Sequence, residues 1–398
     1  MTLPAIAGGK PVRDIPIGYG RQCIEADDIE AVVSTLKSDF ITCGPQVAAM
    51  EKALCDYTGA KYAIAVSNGT TALHTAAIAA GIGPGDEVIT TPITFVASAN
   101  CVLYCGAKVV FADINPRTYN IDPEEIERKV TAKTKAVVAV DFTGQVVEAR
   151  RIRDICDKYN LFFIEDAAHS IGSKYNGNSV GSIADLTTFS FHPVKTITGG
   201  EGGAVLTNSE TLYKKALLAH AHGITKNFEW MLDGHSNEPW YYEMQMLGSN
   251  YRLTDFQAAL ITSQLGKIER FKNRRKKIVD RYNEVFADMP EIIVQEEIPE
   301  SDSCKHLYIL RLNLDMLKCD RAEFFAAMAA EKVHCQVHYI PVYWFPYYKD
   351  LGYNRGLCPI AEDIYNSIIS LPLFPLMTDG DVESVIKAVK KIVSFYRR

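Results

Sequence analysis

The sequence predicts an α/β protein in which a large domain with a mostly parallel, seven-stranded sheet precedes a smaller α+β domain. From about residue 45 to residue 207, short apolar segments alternate with segments of helical spacing. This alternation is typical of parallel sheets that are covered by helices on both faces. Beyond Asp255 the alternation stops and long helical segments dominate. We therefore assign residues 1–253 to the large domain and residues 254–398 to the small domain.

The elements of the large domain follow from the spacing of its apolar residues and from two glycines. Helical spacing after Gln46 stops at Gly59, and a second helical segment stops at Gly81. Glycine commonly follows the last turn of a helix. The short apolar segments between the helices have the length of strands. The pattern predicts helices over 46–57, 70–80, 95–104, 123–130 and 150–159, and strands over 62–66, 87–90, 108–111, 136–140, 161–164, 187–191 and 203–207.

The small domain is predicted from longer helical segments. One continuous helix is expected over 254–286, where Met289-Pro290 follows and ends it. Residues 227–246 are polar and aromatic, and we interpret them as a long loop, which in compact enzymes is often functional. The elements expected after the long helix are a strand over 308–312, a helix over 321–331, a strand over 337–340 and a terminal helix from Asp379.

Composition and charge limit the classes of protein to which the chain can belong. Its 398 residues are 47% hydrophobic and 23% charged, with a formal net charge of −6, which is ordinary for a soluble globular enzyme. This charge favours neither nucleic acid nor an anionic membrane as a partner. No apolar segment reaches the roughly 18 residues of a membrane span, and the first residues lack an export signal. We expect a cytoplasmic protein.

Cysteines and basic residues suggest no further site. The 10 cysteines are scattered without a CxxC pair, so we expect reduced thiols and no metal site. The dense basic cluster lies on the predicted long helix, and we interpret it as a solvated helix face, with contact to an anionic ligand as the alternative. The cluster comprises Lys272, Arg274, Arg275, Lys276 and Lys277.

Lys195 is the residue on which the functional prediction depends. It follows the apolar segment 187–191 and precedes the glycine-rich segment 199–203. A single lysine is usually solvated, but these flanking segments indicate a buried, tightly turned site. A lysine held in a partly desolvated pocket loses its proton more readily and can condense with an aldehyde.

Three further residues stand at or near the ends of predicted strands. Asp166 ends an apolar strand, where an unpaired carboxylate is costly. It could hold a pyridine nitrogen protonated, or it could cap a helix or form an ion pair. Phe95, which follows the strand 87–90, could stack on a flat heterocycle or belong to the core. His169 could lie beside a bound ring or be a hydrogen-bonded structural histidine.

The segment 67–71, with the sequence Ser-Asn-Gly-Thr-Thr, lies between a strand and a helix. Backbone N–H groups at a helix start attract phosphate. Gly69 permits close approach, and the hydroxyls of Thr70 and Thr71 can add hydrogen bonds. The same segment would equally form a simple helix cap. Ser190, five residues before the lysine, could supply another hydroxyl.

Together these segments resemble the fold-type I pyridoxal phosphate (PLP) enzymes, and specifically the DegT/DnrJ-type nucleotide-sugar aminotransferases. The resemblance covers almost the whole chain. Several motifs at matching separations carry it, whereas any one motif would be weak. These motifs are residues 40–45, 67–73, 164–169, 190–203, 222–224, 248–255 and 337–341.

The resemblance implies a role for each matching residue. Lys195 would bind the aldehyde of PLP covalently and move a proton between the amino acid and the cofactor. Asp166 would pair with the pyridine nitrogen and make the ring an electron sink. The other implied cofactor contacts are Gly69, Thr70, Thr71, Phe95, His169 and Ser190, and the implied substrate contacts are Gln145, His222 and Tyr339.

The resemblance also implies a homodimer with shared active sites. In this family a Gly-x-Asn-Tyr-Arg loop reaches into the site of the neighbouring subunit. The matching residues here, Asn250 and Arg252, are therefore expected near the cofactor phosphate of a partner chain, and either of them could complete that pocket.

Within the family, segments 191–198 and 141–145 look most like the aminotransferases of the pseudaminic acid pathway. Many relatives carry a histidine where Asp141 stands. The implied reaction moves the amino group of L-glutamate to C4 of a UDP-linked 4-keto-6-deoxy-N-acetylhexosamine. The alternatives are another keto sugar, such as a dTDP-hexulose or a keto-inositol, and a non-catalytic PLP-binding regulatory protein. Lys195 argues against the related sugar dehydratases, in which a histidine replaces this lysine.

Overall fold

The computed structural model of the protein describes residues 3–232 and 238–398. Within these residues the helices α1 to α13 are Ala26–Leu36, Pro45–Thr58, Gly69–Ala79, Ala97–Tyr104, Pro123–Lys129, Ala149–Tyr159, Glu210–His220, Asp255–Leu265, Ile268–Phe286, Arg321–Ala330, Pro346–Asp350, Pro359–Ser367 and Asp379–Tyr396. The strands β1 to β15 are Tyr62–Val66, Glu87–Thr90, Lys108–Phe111, Thr134–Val140, Phe162–Asp166, Lys174–Tyr175, Asn178–Ser179, Leu186–Ser190, Gly203–Thr207, Ile224–Thr225, Glu243–Met244, Ile292–Val294, Ser301–Asp302, Tyr308–Leu312 and Ile368–Leu371.

The central sheet has seven strands in the order β1-β9-β8-β5-β4-β2-β3. Strands β8, β5, β4, β2 and β3 are mutually parallel, whereas β9 runs antiparallel to both of its neighbours, β1 and β8. Buried apolar side chains form one cluster on each face of this sheet, because its strands are apolar on both sides. The predicted fold class and all seven predicted strands of this sheet are confirmed.

The topology brings three chain segments to one edge of the sheet. Strands β5 and β8 are parallel, and β1 runs in the same direction as β8 because both are antiparallel to β9. Asp166 ends β5, Ser190 ends β8, and α3 begins three residues after the last residue of β1. Ligands of open α/β sheets bind outside the carboxyl ends of the strands, so this edge is where a site is expected.

The C-terminal region contains an antiparallel sheet of order β12-β14-β15. Apolar residues of this sheet, of α9, α10 and α13 form a third buried cluster. The predicted strand over 337–340 is wrong: next to it, Gln336 makes one isolated bridge to Ser370, while β15 takes the place beside β14. No helix in the described parts of the chain is both long and apolar enough to cross a membrane.

The predicted continuous helix over 254–286 is also wrong, because α8 and α9 are separated at Gly266 and Lys267. At this break the N–H of Lys267 donates to the carbonyl of Gln264, three residues back, so the turn is tighter than an α-helical turn. The Lys267 ammonium lies 2.6 Å from Asp27 and 2.8 Å from Asp28. These two ion pairs connect the break to α1. The spacing of apolar residues, from which the long helix was predicted, does not reveal them.

The interpretation of the basic cluster as a solvated face is wrong for two of its members. Lys272 and Arg275 are 6% and 2% exposed. Arg275 donates to the carbonyls of His306 and Leu373, and Lys272 donates to the carbonyl of Gly172. The two residues are three apart on α9 and therefore share its inward face.

Candidate active site

A cavity of about 820 Å³ opens at the carboxyl edge of the central sheet. It is bordered by the ends of β5 and β8, by the start of α3, and by residues 336–340 of the C-terminal region. The structure therefore brings together residues from distant parts of the chain. The predicted site residues that line this cavity are Gly69, Thr70, Phe95, Asp166, His169, Ser190, Lys195 and Tyr339.

Lys195 lies in the turn that follows β8. Its backbone N–H donates to the carbonyl of His192 at 2.9 Å, and its side chain is half-buried against the cavity. Burial disfavours the ammonium form and lowers the pKa of Lys195 to about 8, although the charge of Asp166 acts in the opposite direction. A pKa of about 8 leaves roughly a tenth of this lysine as the free amine at pH 7, far more than for an ordinary lysine, and the free amine is the nucleophilic form.

Asp166 is 4% exposed, and both of its carboxylate oxygens accept hydrogen bonds. The Ser98 hydroxyl lies 2.6 Å from Oδ2, and the N–H of Ala168 lies 3.2 Å from Oδ1. Burial raises the pKa of Asp166, while the hydrogen bonds from Ser98 and Ala168 and the charge of Lys195 act to lower it. Neither hydrogen-bond donor is charged, so the site suits a cationic partner such as a protonated pyridine nitrogen.

The start of α3 forms a polar corner of the cavity. A Cβ added at Gly69 would lie 2.8 Å from the Cβ of Ser190, so the close contact between these two segments requires glycine at this position. Thr71 does not line the cavity; its hydroxyl donates to the carbonyl of Asn68 at 2.8 Å. A phosphate at this helix start would meet Gly69, Thr70 and Ser190, while Thr71 belongs to the capping box.

Aromatic side chains form another wall. Phe95 is 58% exposed and lines the cavity, so its ring is available for stacking. His169 is buried, and its Nε2 lies 3.1 Å from the Tyr339 hydroxyl. Within the described residues its Nδ1 has no hydrogen-bond partner. Burial and the charge of Lys195 hold the pKa of His169 well below its usual value, so the imidazole is neutral.

This donor set fits PLP. The cofactor requires an amine for its aldehyde, an anion for its pyridine nitrogen and a cluster of N–H and hydroxyl donors for its phosphate. Lys195, Asp166 and the start of α3 provide these groups around one cavity. The unpartnered Nδ1 of His169 and the exposed ring of Phe95 leave additional contacts open for a flat polar ring.

Besides Thr71, four predicted site residues do not line the cavity. Gln145 is 3% exposed, and its side chain donates to the carbonyl of Glu296 and accepts from the N–H of Ile298. It borders a separate cavity of about 170 Å³. The hydrogen bonds of its amide group connect it to the loop that contains Glu296 and Ile298. The other three residues are exposed in this single chain: His222, Asn250 and Arg252.

Several cavity residues were not predicted from the sequence. Ser98 lies three residues after Phe95, one helical turn away, and this spacing could have identified it. Tyr19, His306 and His338 come from the N-terminal segment and the C-terminal half. No local pattern connects them to the sheet edge, so tertiary structure was needed to find them.

Comparison with known proteins places the chain among sugar-modifying enzymes. A model of the DegT/DnrJ/EryC1/StrS aminotransferase family matches residues 22–390. The spore coat polysaccharide biosynthesis protein SpsC of Bacillus subtilis is 40% identical over 377 residues, which are 94% of this chain and 96% of SpsC. The UDP-4-amino-4,6-dideoxy-N-acetyl-beta-L-altrosamine transaminase of Campylobacter jejuni is 37% identical over 385 residues, covering 94% of this chain and 99% of that protein.

A solved structure has the same fold. It is Helicobacter pylori PseC, described as an aminotransferase involved in the biosynthesis of pseudoaminic acid, with a TM-score of 0.88 and 32% identity. The similarity covers 96% of this chain and 100% of that one.

Proposed function

The chain belongs to the DegT/DnrJ/EryC1/StrS aminotransferase family, and on that premise we propose that it transfers the amino group of L-glutamate to C4 of a UDP-linked 4-keto-6-deoxy-N-acetylhexosamine. The family resemblance predicted from the sequence is confirmed. The protein is a PLP-dependent aminotransferase, and PLP is also bound in a solved structure of similar fold. The single observation that carries the proposal is that Lys195 and Asp166 border one cavity next to a helix start.

Lys195 is proposed as the group that moves the proton. PLP, when bound, supplies an aldehyde that takes up the amino group and a ring that delocalises electrons. The free amine of Lys195, with its pKa lowered to about 8, would take the proton from Cα of glutamate and deliver a proton to the cofactor. In the second half of the reaction it would carry a proton from the cofactor to C4 of the sugar. A pKa near the working pH suits a group that must both accept and release a proton.

The other cavity residues would bind and orient. Asp166 would keep a positive charge on the pyridine nitrogen, because its buried carboxylate is stabilised by a cation. Gly69, Thr70 and Ser190 would bind the phosphate, and Phe95 would stack on the ring. A cavity of about 820 Å³ is within the size range of sites that enclose a cofactor or a drug-sized ligand.

The UDP-linked substrate is proposed from the relatives and from the match of segment 141–145. The Campylobacter jejuni relative is named a UDP-4-amino-4,6-dideoxy-N-acetyl-beta-L-altrosamine transaminase, and PseC is described as an aminotransferase involved in the biosynthesis of pseudoaminic acid. Asp141 itself is fully buried, with its carboxylate accepting a hydrogen bond from Ser170 at 2.6 Å. It therefore supports the structure next to the site and does not itself line the cavity.

We also propose a homodimer in which Asn250 and Arg252 of one chain approach the cofactor phosphate of the other. Both residues are exposed and lie outside the cavity of their own chain. The surrounding segment exposes large apolar side chains, which are typical of a surface covered by another protein. They are Phe228, Trp240, Tyr242, Met244 and Leu247.

The proposal is tested with purified protein, PLP and L-glutamate against a panel of UDP- and dTDP-linked 4-keto sugars and a keto-inositol. We expect 2-oxoglutarate and a 4-amino sugar to form with the UDP-linked 4-keto-6-deoxy-N-acetylhexosamine, and little product with the other acceptors. Lys195→Ala is the control that should form neither. Preference for another acceptor would reject the proposed substrate, and a bound cofactor whose absorbance does not respond to glutamate would favour a regulatory protein.

A further inference from the structure

Ser98 connects the start of α4 to the carboxylate of Asp166. It is the second residue of α4 and is 1% exposed. Its Oγ lies 2.6 Å from Oδ2 of Asp166 and 2.7 Å from Oγ1 of Thr94. Thr94 is 3% exposed. These three side chains therefore form a buried chain of hydrogen bonds that ends on the carboxylate at the cavity.

The direction of these hydrogen bonds follows from counting protons. An ionised carboxylate has no proton to give, so Ser98 must donate its single hydroxyl proton to Asp166. The Thr94 hydroxyl must then donate to Ser98, since Ser98 has no second proton. The carbonyl of Phe95, at 3.3 Å from the Ser98 oxygen, is a poorer acceptor than a carboxylate at 2.6 Å. Donation by Thr94 polarises Ser98 and strengthens its bond to the carboxylate.

The hydrogen bond from Ser98 favours the ionised form of Asp166, whereas burial disfavours that form. Burial raises the pKa of Asp166, and the hydrogen bond from Ser98 is the largest of the effects that lower it. Two more buried carboxyl groups, those of Asp141 and Glu165, lie close by and also have raised pKa values. Lys195 is the nearby positive charge. Removal of the Ser98 hydroxyl would therefore favour a neutral Asp166.

We propose that Ser98, oriented by Thr94, is a positioning residue that acts on the cofactor's pyridine nitrogen through Asp166. This rests on the proposed role of Asp166 and extends it. With one oxygen held by Ser98 and the other by the N–H of Ala168, the carboxylate has a fixed plane. Phe95 lies one turn before Ser98. The start of α4 would therefore position both the Phe95 ring, which stacks on the cofactor, and the Asp166 carboxylate, which pairs with the pyridine nitrogen.

The test compares binding of PLP with binding of 1-deaza-PLP, in which a carbon replaces the pyridine nitrogen. Equilibrium dissociation constants are measured for the wild-type protein and for Ser98→Ala, Ser98→Thr and Thr94→Val. We expect Ser98→Ala to weaken PLP binding by about 10- to 100-fold, which is the usual effect of losing a hydrogen bond to a charged group. Binding of the 1-deaza compound should change by less than about threefold. Ser98→Thr should restore PLP binding, and Thr94→Val should have a smaller effect of the same kind.

Ser170→Ala is the matched control. Its hydroxyl is also buried and donates over 2.6 Å, but to Asp141 and not to Asp166, so it should not alter the ratio of the two affinities. Equal weakening of both compounds by Ser98→Ala, or no weakening of either, would overturn the proposal. If Ser98→Ala does not fold, Thr94→Val takes its place. An unchanged ratio of the affinities for PLP and 1-deaza-PLP in Thr94→Val would then overturn the proposal.

Asp166→Asn separates this inference from the proposed function. It should remove the preference for PLP over the 1-deaza compound entirely. A preference that persists in Asp166→Asn would contradict the role of Asp166, whereas its loss in Asp166→Asn but not in Ser98→Ala would contradict Ser98 alone. Binding is measured without a sugar, so a wrong acceptor would leave this result unaffected.

Discussion

The cavity at the sheet edge differs sharply from the segment 222–252. At the sheet edge, Asp166 is almost fully buried, and each of its carboxylate oxygens has a hydrogen-bond donor from the same chain. In segment 222–252, the predicted site residues His222, Asn250 and Arg252 face solvent. The groups proposed for the cofactor's chemistry thus border the cavity of one chain, while those of segment 222–252 lie on the surface, outside that cavity.

Burial explains why the two regions differ in this way. A carboxylate and an amine are costly to bury unless they meet a partner, and β5 and β8 place both at the carboxyl edge of the sheet. Exposed residues such as Arg252 carry no such cost. An interface can therefore supply them without any change to the core, and each region makes its own predictions.

The largest effect is expected at Lys195. Lys195→Ala should reduce transamination by at least about 1000-fold, because it removes both the nucleophile and the proton-transfer group. The variant should keep its fold, since Lys195 lies in a loop and borders the cavity. Formation of 2-oxoglutarate and the circular dichroism spectrum are the two measurements. Lys52→Ala, at an exposed lysine on α2, is the control, and near-normal turnover of Lys195→Ala would contradict the assignment.

Asp166→Asn should have the next largest effect. We expect turnover to fall by roughly 100- to 1000-fold, because a neutral amide cannot stabilise a positive charge on the pyridine nitrogen. The rate of glutamate-dependent 2-oxoglutarate formation measures this. Glu165→Gln is the matched control, since Glu165 is equally buried but does not line the cavity, and it should change the rate by less than about threefold. Equal losses in both variants would indicate a general effect of buried carboxyl groups.

The contrast between the regions also shows what the sequence can predict. Asp166 and Ser190 end strands, and Gly69 and Lys195 follow strands within a few residues. Strand–loop–helix patterns of this kind are visible in short windows of sequence. His306 reaches the same cavity only because the C-terminal region packs against the sheet edge, and such packing leaves no local pattern.

The errors have similar physical causes. The break between α8 and α9 involves ion pairs from Lys267 to α1, which lies more than 200 residues earlier in the chain. Thr71 and Gln145 carry polar groups in the expected places, but their hydrogen bonds are made inside the protein. Residue type and spacing do not reveal whether a polar group faces a ligand or its own backbone. A cytoplasmic location and the domain boundary at 253 stay predictions.

A third prediction concerns segment 222–252 directly. If Arg252 acts across a dimer, mixing Lys195→Ala subunits with Arg252→Ala subunits should recover activity, because half of randomly formed dimers are mixed and each has one intact site. The expected recovery is about one quarter of the wild-type rate. Turnover is measured after mixing, with subunit exchange checked by native mass spectrometry. Mixed dimers without recovered activity would show that Arg252 does not act in the partner's site.

The smallest effect is expected at Glu51, which has a raised pKa but lies outside the cavity. Glu51 is on α2, and its Oε1 accepts a hydrogen bond from the N–H of Ala65 on β1, an edge strand of the central sheet. Burial raises the pKa of Glu51 from 4.5 to about 7. A raised pKa is therefore not by itself a mark of the active site, and Glu51 can separate stability from catalysis.

The effect of Glu51 on the pH dependence of the free energy of unfolding follows from proton binding. Between 4.5 and about 7 the folded protein holds a proton on Glu51 that the unfolded chain releases, so the free energy of unfolding falls as pH rises through this window. Glu51→Gln keeps the acceptor for Ala65 but does not ionise. Denaturant unfolding should therefore show that this variant loses less stability than the wild type between about pH 5 and pH 8, with a difference of roughly 1–3 kcal/mol. Its turnover should be unchanged, and Glu30→Gln, at an exposed glutamate on α1, should behave as the wild type. A large loss of activity in Glu51→Gln would show that the edge strand β1 is coupled to the cavity. Stability and catalysis would then not be separable at this position.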